Sequence, residues 1–295
     1  MRLASVDIGS NAIRLQINSV SKFHGQLLVK KMEYIRFPLR LGNDVFSIGR
    51  IGDESARKFA RLLEAFAAFM DLYDVDDYMI CGTSALREAA NGAELATQVE
   101  QKTGLKIHII DGNQEADLIN QAIYKFLDEK PYLHVDVGGG STEITLYQNR
   151  EKLASASFKI GSVRNMNNIH KPTVWLQMED WLKAHVHTMP QPVTAVGTGG
   201  NINKLFELSG SKTKKSRTMT FSELVSIQQE VSSLSLQERI NTLMLNPDRA
   251  DVIVPASEIY LHVMRMAHAR KILVPDVGLK DGIIDLLITK HKHLL

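Results

Sequence analysis

An acidic residue running straight into a glycine turn occurs twice in this chain, as Asp7-Ile8-Gly9-Ser10-Asn11 and as Asp136-Val137-Gly138-Gly139-Gly140-Ser141-Thr142. Each copy follows an apolar run and precedes an alternating one, so each encodes a strand, a tight turn and a returning strand. Such a turn offers bare backbone N–H groups and a hydroxyl to an anion, with a carboxylate beside them that can hold a metal ion. Their wide separation points to two similar halves rather than a short tandem repeat. Two such loops suit a phosphate chain held between them. There is no Walker lysine and the turns lead into strands, which argues against a P-loop ATPase.

At 295 residues the chain is long enough for two domains, each with its own core. No apolar stretch approaches the ~18 residues a membrane span needs. The opening Met1–Val6 reaches Asp7 too soon for a signal peptide, so a cytoplasmic location is expected. The net charge of +2 lacks the strongly basic balance of a nucleic-acid binder. Neither nucleic acid nor membrane is expected as a partner. The single cysteine, Cys81, can form no internal disulfide and reads as a buried strand residue.

Residues 2–7, 12–20 and 26–37 read as an antiparallel opening sheet, and Asp53 to about Leu72 as an amphipathic helix. A strand at 76–82 leads into a helix running from Ser84 through the nineties. A strand at 105–110 then leads through a turn, with Asn113 as cap, into a helix ending near Phe126. Asp128-Glu129-Lys130-Pro131 is the candidate hinge. Beyond it come strands at 132–137, 142–148 and 152–158, helices near 173–188 and 221–240, and a strand at 192–196 running into Gly197-Thr198-Gly199-Gly200-Asn201. The domains expected are 1–127 and 128–295, with the final helix, about 281–295, able to pack back on the first.

At the two glycine turns, at Glu115 and at Gly278-Leu279-Lys280-Asp281-Gly282, the sequence resembles the exopolyphosphatase and guanosine pentaphosphate phosphatase family. Gly82–Ala89, Gly112–Ala116, Gly161-Ser162-Val163-Arg164 and Arg249–Pro255 also look like motifs of that family, in its order and across nearly the whole chain. The resemblance implies an α/β fold of two actin-like, ribonuclease H-like domains with an interdomain active-site cleft. It implies release of terminal phosphate from inorganic polyphosphate, or of the 5′ phosphate from guanosine pentaphosphate, with magnesium or else manganese. It resembles the short members of the family and leaves the oligomeric state open, a homodimer included. One departure is Gln114 beside Glu115, where the family often has two Glu residues. A small-molecule kinase of the same superfamily and a non-catalytic sensor of guanosine polyphosphates are the competing readings.

Hydrolysis of a phosphoanhydride needs a positioned water and cations to neutralise spreading oxygen charge. Glu115, in the first turn of its helix, is the candidate to orient the water, where the dipole favours an ionised carboxylate. Arg87 and Arg14 carry forked donors for phosphate oxygens. Asp136 and Glu143 lie at the two ends of one turn and suit magnesium, with Asp7 the matching carboxylate of the first half. Gly9, Ser10, Asn11, Gly138, Gly139, Gly140, Ser141 and Thr142 form the expected phosphate cradle, extended by Gly197, Thr198 and Gly199. The basic run Lys212, Lys214, Lys215 and Arg217 is a candidate to attract a polyanion.

Overall fold

The computed structural model describes residues 1–166, 172–210 and 216–294, and by internal contacts the chain divides into two units. The first comprises Met1–Ala122 and Gly278–Leu295, the second Ile123–Val277. The crossing thus falls before the Asp128–Pro131 turn, and the last helix belongs to the first unit.

The first unit is built on strands β1 (Arg2–Ile8), β2 (Ile13–Phe23), β3 (Gln26–Phe37), β4 (Asp77–Gly82) and β5 (Ile107–Ile109). They lie in the order β3-β2-β1-β4-β5, with β1, β4 and β5 parallel and β2 and β3 antiparallel to their neighbours. Leu3, Val6, Ile8, Leu15 and Ile17 are wholly buried with Phe59 and Leu63 of the helix Asp53–Leu72. Gln16 is buried as well, because the helix Leu279–Lys290 covers its face and Gln16 Nε2 donates to Asp281 Oδ1 at 3.2 Å.

The expected long helix after β4 is two helices, Ser84–Glu88 and Gly92–Thr103. Asn91 breaks it: its side-chain amide exchanges two 2.9 Å bonds with the backbone of Ile51. The expected helix 221–240 likewise divides into Phe221–Ser233 and Leu236–Asn241. Ser235 restarts it with Glu238 as its capping-box partner, a pattern legible in the sequence. A helix at Leu41–Ile48 had no expectation attached to it.

The second unit repeats the plan with β6 (Tyr132–Val137), β7 (Thr142–Gln148), β8 (Glu151–Phe158), β9 (Thr194–Thr198), β10 (Thr218–Thr220) and β11 (Lys271–Leu273). Their order is β10-β11-β9-β6-β7-β8, with β6, β9 and β11 parallel. One apolar cluster, including Leu133, Val135, Ile144, Leu205, Phe206, Ile259 and Ile272, fills this unit. Strand β9 runs two residues beyond the expected end, so Thr198 belongs to the ladder and pairs with Asp136.

Close helix packing in the first unit rests on Gly282, where an added Cβ would fall 1.8 Å from the carbonyl oxygen of Leu118. Gly282→Ala is expected to destabilise the first unit by about 1–3 kcal/mol or more, read as a lower urea midpoint; an unchanged midpoint would contradict this packing.

Candidate functional site

In the first unit, loops leave the C-terminal ends of β1, β4 and β5, the edge at which parallel sheets present ligand sites. After β1, Gly9 donates its N–H to the carbonyl of Ala12 (3.2 Å), and this turn places Asp7 opposite Arg14 on β2. Arg14 Nη1 donates to Asp7 Oδ2 at 2.7 Å. Asp7 and Arg14, expected separately as metal ligand and phosphate binder, thus form an ion pair with each other. Ser10 Oγ lies 2.8 Å from Ser84 Oγ, and its carbonyl accepts from Gly42 N–H at 2.8 Å, which fixes the loop.

The helix Gly112–Ile123 follows β5, and its cap is Asp111 rather than Asn113. Asp111 Oδ1 accepts from the N–H groups of Asn113 and Gln114, both at 2.9 Å. Gln114 Oε1 accepts in return from Asp111 N–H at 3.0 Å, which completes a capping box. Gln114 therefore has a structural post that an amide fills well. Glu115 comes next and is 8% exposed, with Oε2 3.8 Å from Arg87 Nη1. The same Arg87 nitrogen donates to the carbonyl of Ile110. Cys81 lies buried on β4, its thiol pushed up to about 12 by burial and then by the carboxylates of Asp7 and Glu115. A thiol so held is not a nucleophile near neutral pH.

The second unit makes the same turn. Gly138 donates to the carbonyl of Ser141 (3.0 Å), and Asp136 stands opposite Glu143 across β6 and β7. The segment after β8 then fastens the loop by its carbonyls. Ser162 N–H bonds Gly138 O at 2.9 Å, Val163 N–H bonds Gly139 O at 2.9 Å, and Arg164 Nε bonds Gly140 O at 2.8 Å. Only glycine fits at 161, where a Cβ would lie 2.4 Å from Gly139 O. With the carbonyls occupied, the N–H groups of Gly139, Gly140 and Ser141 meet no backbone acceptor among the described residues. That is the polarity an anion cradle needs.

Asp136 and Glu143 are both buried, at 8% and 0% exposure. Asp136 Oδ1 accepts from Thr198 Oγ1 at 2.5 Å, and Glu143 Oε1 accepts from Ser157 Oγ at 2.8 Å. Two adjacent buried carboxylates repel unless a cation lies between them. A pair of hard oxygen donors next to an anion cradle can hold a divalent metal such as magnesium or manganese. Elsewhere the expectations meet other partners. Arg217 is committed to the carbonyl of Val274 (2.6 Å) and stacks on Phe206, while Lys212, Lys214 and Lys215 lie outside the described residues. Among the described residues, no helix is long and apolar enough to cross a membrane.

A sequence model of the Ppx/GppA phosphatase family matches residues 19–291. Exopolyphosphatase 2 of Mycobacterium tuberculosis is 26% identical, over 96% of this chain and 97% of its own length. Guanosine-5′-triphosphate,3′-diphosphate pyrophosphatase of Photobacterium profundum is 24% identical over 98% of this chain, which matches 60% of that longer protein. Among solved structures, the Aquifex aeolicus member of the family is 25% identical with a TM-score of 0.77, covering 99% of both chains. An exopolyphosphatase from Cytophaga hutchinsonii gives a TM-score of 0.85 at 21% identity, covering 98% of both.

The sequence reading passed over His134, which lies two residues before Asp136 and so on the same face of β6. It is wholly buried, Nε2 lies 2.9 Å from Thr198 Oγ1, and burial lowers its pKa to about 3. The unfolded chain binds this proton near the ordinary value of 6.5, and the folded chain only near about 3. Between those values the unfolded state holds more protons, so stability falls as pH drops. This costs about 2 kcal/mol between pH 7 and pH 5. Urea unfolding of the wild type and His134→Gln at both values should show this extra loss in the wild type alone, and equal losses would contradict a neutral buried imidazole.

Proposed function

The chain belongs to the Ppx/GppA phosphatase family, and we propose that it releases terminal orthophosphate from inorganic polyphosphate, or the 5′ phosphate of guanosine pentaphosphate. The observation that carries this reading is the Asp136–Glu143 turn, a buried acid pair beside N–H groups that point away from their occupied carbonyls. The names of the relatives, exopolyphosphatase and guanosine pentaphosphate-type pyrophosphatase, supply the two substrate classes.

In this reading the loops Gly9–Asn11 and Gly138–Thr142 both bind phosphate. A divalent cation, held by Asp136 and Glu143 when bound, would neutralise charge on the phosphoryl oxygens. Asp7 pairs with Arg14, whose guanidinium is assigned to the phosphate oxygens. Glu115 sits in the first turn of a capped helix with the Arg87 guanidinium near it, and both favour its ionised form. An ionised Glu115 accepts a hydrogen bond from water and sets its lone pair toward phosphorus, taking the proton as the bond to the leaving phosphate breaks. Arg87 then has one guanidinium edge toward Ile110 and Glu115 and the other toward substrate. Of the third loop, the backbone at Gly199 is the part assigned to substrate.

Purified protein with magnesium, offered short polyphosphate, long polyphosphate, guanosine pentaphosphate and ATP in parallel, tests the reading by orthophosphate release. The expected result is turnover of polyphosphate or guanosine pentaphosphate well above ATP. Glu115→Gln is expected to retain folding and substrate binding and to lose about 10²- to 10⁴-fold in kcat. Unchanged turnover in that variant would remove Glu115 from the mechanism.

A further inference from the structure

We propose that Thr198 is a positioning residue for Asp136 rather than a phosphate donor, and that His134 in turn aims Thr198. The inference rests on the reading that Asp136 holds a divalent cation. Asp136 and Thr198 are register partners on the parallel strands β6 and β9, and His134 lies on the same face as Asp136. The three side chains form one line: His134 Nε2 to Thr198 Oγ1 at 2.9 Å, and Thr198 Oγ1 to Asp136 Oδ1 at 2.5 Å.

Proton bookkeeping fixes every direction in this line. With Asp136 ionised, as holding a cation requires, its carboxylate only accepts, so the one hydrogen of the Thr198 hydroxyl points at Asp136. With its hydrogen spent, Thr198 Oγ1 can only accept from His134, so the imidazole carries its proton on Nε2. Nδ1 is then bare, and it is buried without a partner among the described residues.

The main chain of Thr198 is fixed as firmly as its side chain. Tyr260, wholly buried, donates its hydroxyl to the Thr198 carbonyl and accepts from Val137 N–H at 3.2 Å, tying the ends of β6 and β9. Directly after Thr198, Gly199 has φ +107, and a Cβ there would lie 3.5 Å from Asp136 Oδ1. The Thr198 hydroxyl is thus presented to Asp136 and His134 from a fixed backbone. What it does is hold the Asp136 carboxylate through Oδ1 and so set its orientation. Second partners of this kind are worth about 10- to 100-fold in metal affinity.

The test uses the whole chain without metal and titrates Mn²⁺ by electron paramagnetic resonance, alongside orthophosphate release at saturating metal. Thr198→Val is expected to raise the Kd for Mn²⁺ about 10- to 100-fold, with substrate KM at saturating metal little changed. Thr198→Ser should bind Mn²⁺ like the wild type. Thr198→Ala, which removes the hydroxyl without putting a methyl in its place, gives the same test if Thr198→Val does not fold. Wild-type Mn²⁺ affinity in the hydroxyl-less variants, or a raised substrate KM with unchanged Mn²⁺ affinity, would overturn the proposal. Asp136→Asn separates the two levels. If it loses Mn²⁺ while Thr198→Val and Thr198→Ala keep it, only the positioning role falls; if it binds Mn²⁺ normally, the metal reading falls and takes this proposal with it.

Discussion

One hydrogen bond organises each unit: the N–H of a glycine to the carbonyl three residues on, Gly9 to Ala12 and Gly138 to Ser141. It closes the turn between two antiparallel strands and so sets their register. Residues seven apart in sequence then stand opposite one another, Asp7 with Arg14 and Asp136 with Glu143. The second turn is secured further, because the 162–164 segment takes up the carbonyls of Gly138, Gly139 and Gly140. An oriented run of peptides is costly to maintain unless something binds its N–H side. Gly161 permits that arrangement, since any side chain there would strike the loop backbone.

The same turn produces opposite electrostatics in the two units. In the first, the residue facing the aspartate is an arginine, and the pair neutralises itself at 2.7 Å. In the second it is a glutamate, and two acids lie directly across a ladder where like charges destabilise. Ser157 and Thr198 each give one of those acids a donor, but neither supplies charge. A cation between Asp136 and Glu143, as proposed, would do in the second unit what the Arg14 guanidinium does in the first.

Much of this was legible in the residues. The strand-turn-strand pattern, the antiparallel opening sheet and the acid pair follow from glycine placement and alternation, which are local signals. Helix ends were harder, since Asn91 ends a helix only through Ile51, forty residues away in sequence. The cap at Asp111 rather than Asn113 has a local cause: Asp111 and Gln114 form a capping box visible in the sequence, while Asn113 is by residue type an equally good cap. The reach of β9 to Thr198 depends on a ladder with β6 that no local pattern encodes. His134 carried a faint signal, a polar residue between Leu133 and Val135 on a buried strand, whose meaning appears only once Thr198 is beside it.

Similarity to a family does not make every shared segment chemical, and the Gly278–Gly282 motif shows why. Asp281 accepts from Gly278 N–H at 2.9 Å to cap its own helix and from Gln16 Nε2 at 3.2 Å to fasten that helix to β2. Lys280 Nζ bonds the same carboxylate at 2.5 Å, and Gly282 lets the helix backbone approach Leu118. Each residue is thereby accounted for by the closure of the first unit, whose sheet would otherwise leave the polar face of β2 uncovered. Gly161-Ser162-Val163-Arg164 is similar, since Ser162, Val163 and Arg164 bond the carbonyls of the Gly138–Gly140 turn. On the proposed reading, the residues left with chemistry to do are fewer than the motifs: Glu115, Arg87 and Arg14, the acid pair Asp136 and Glu143, the backbone at Gly199, and the N–H groups that the two turns expose.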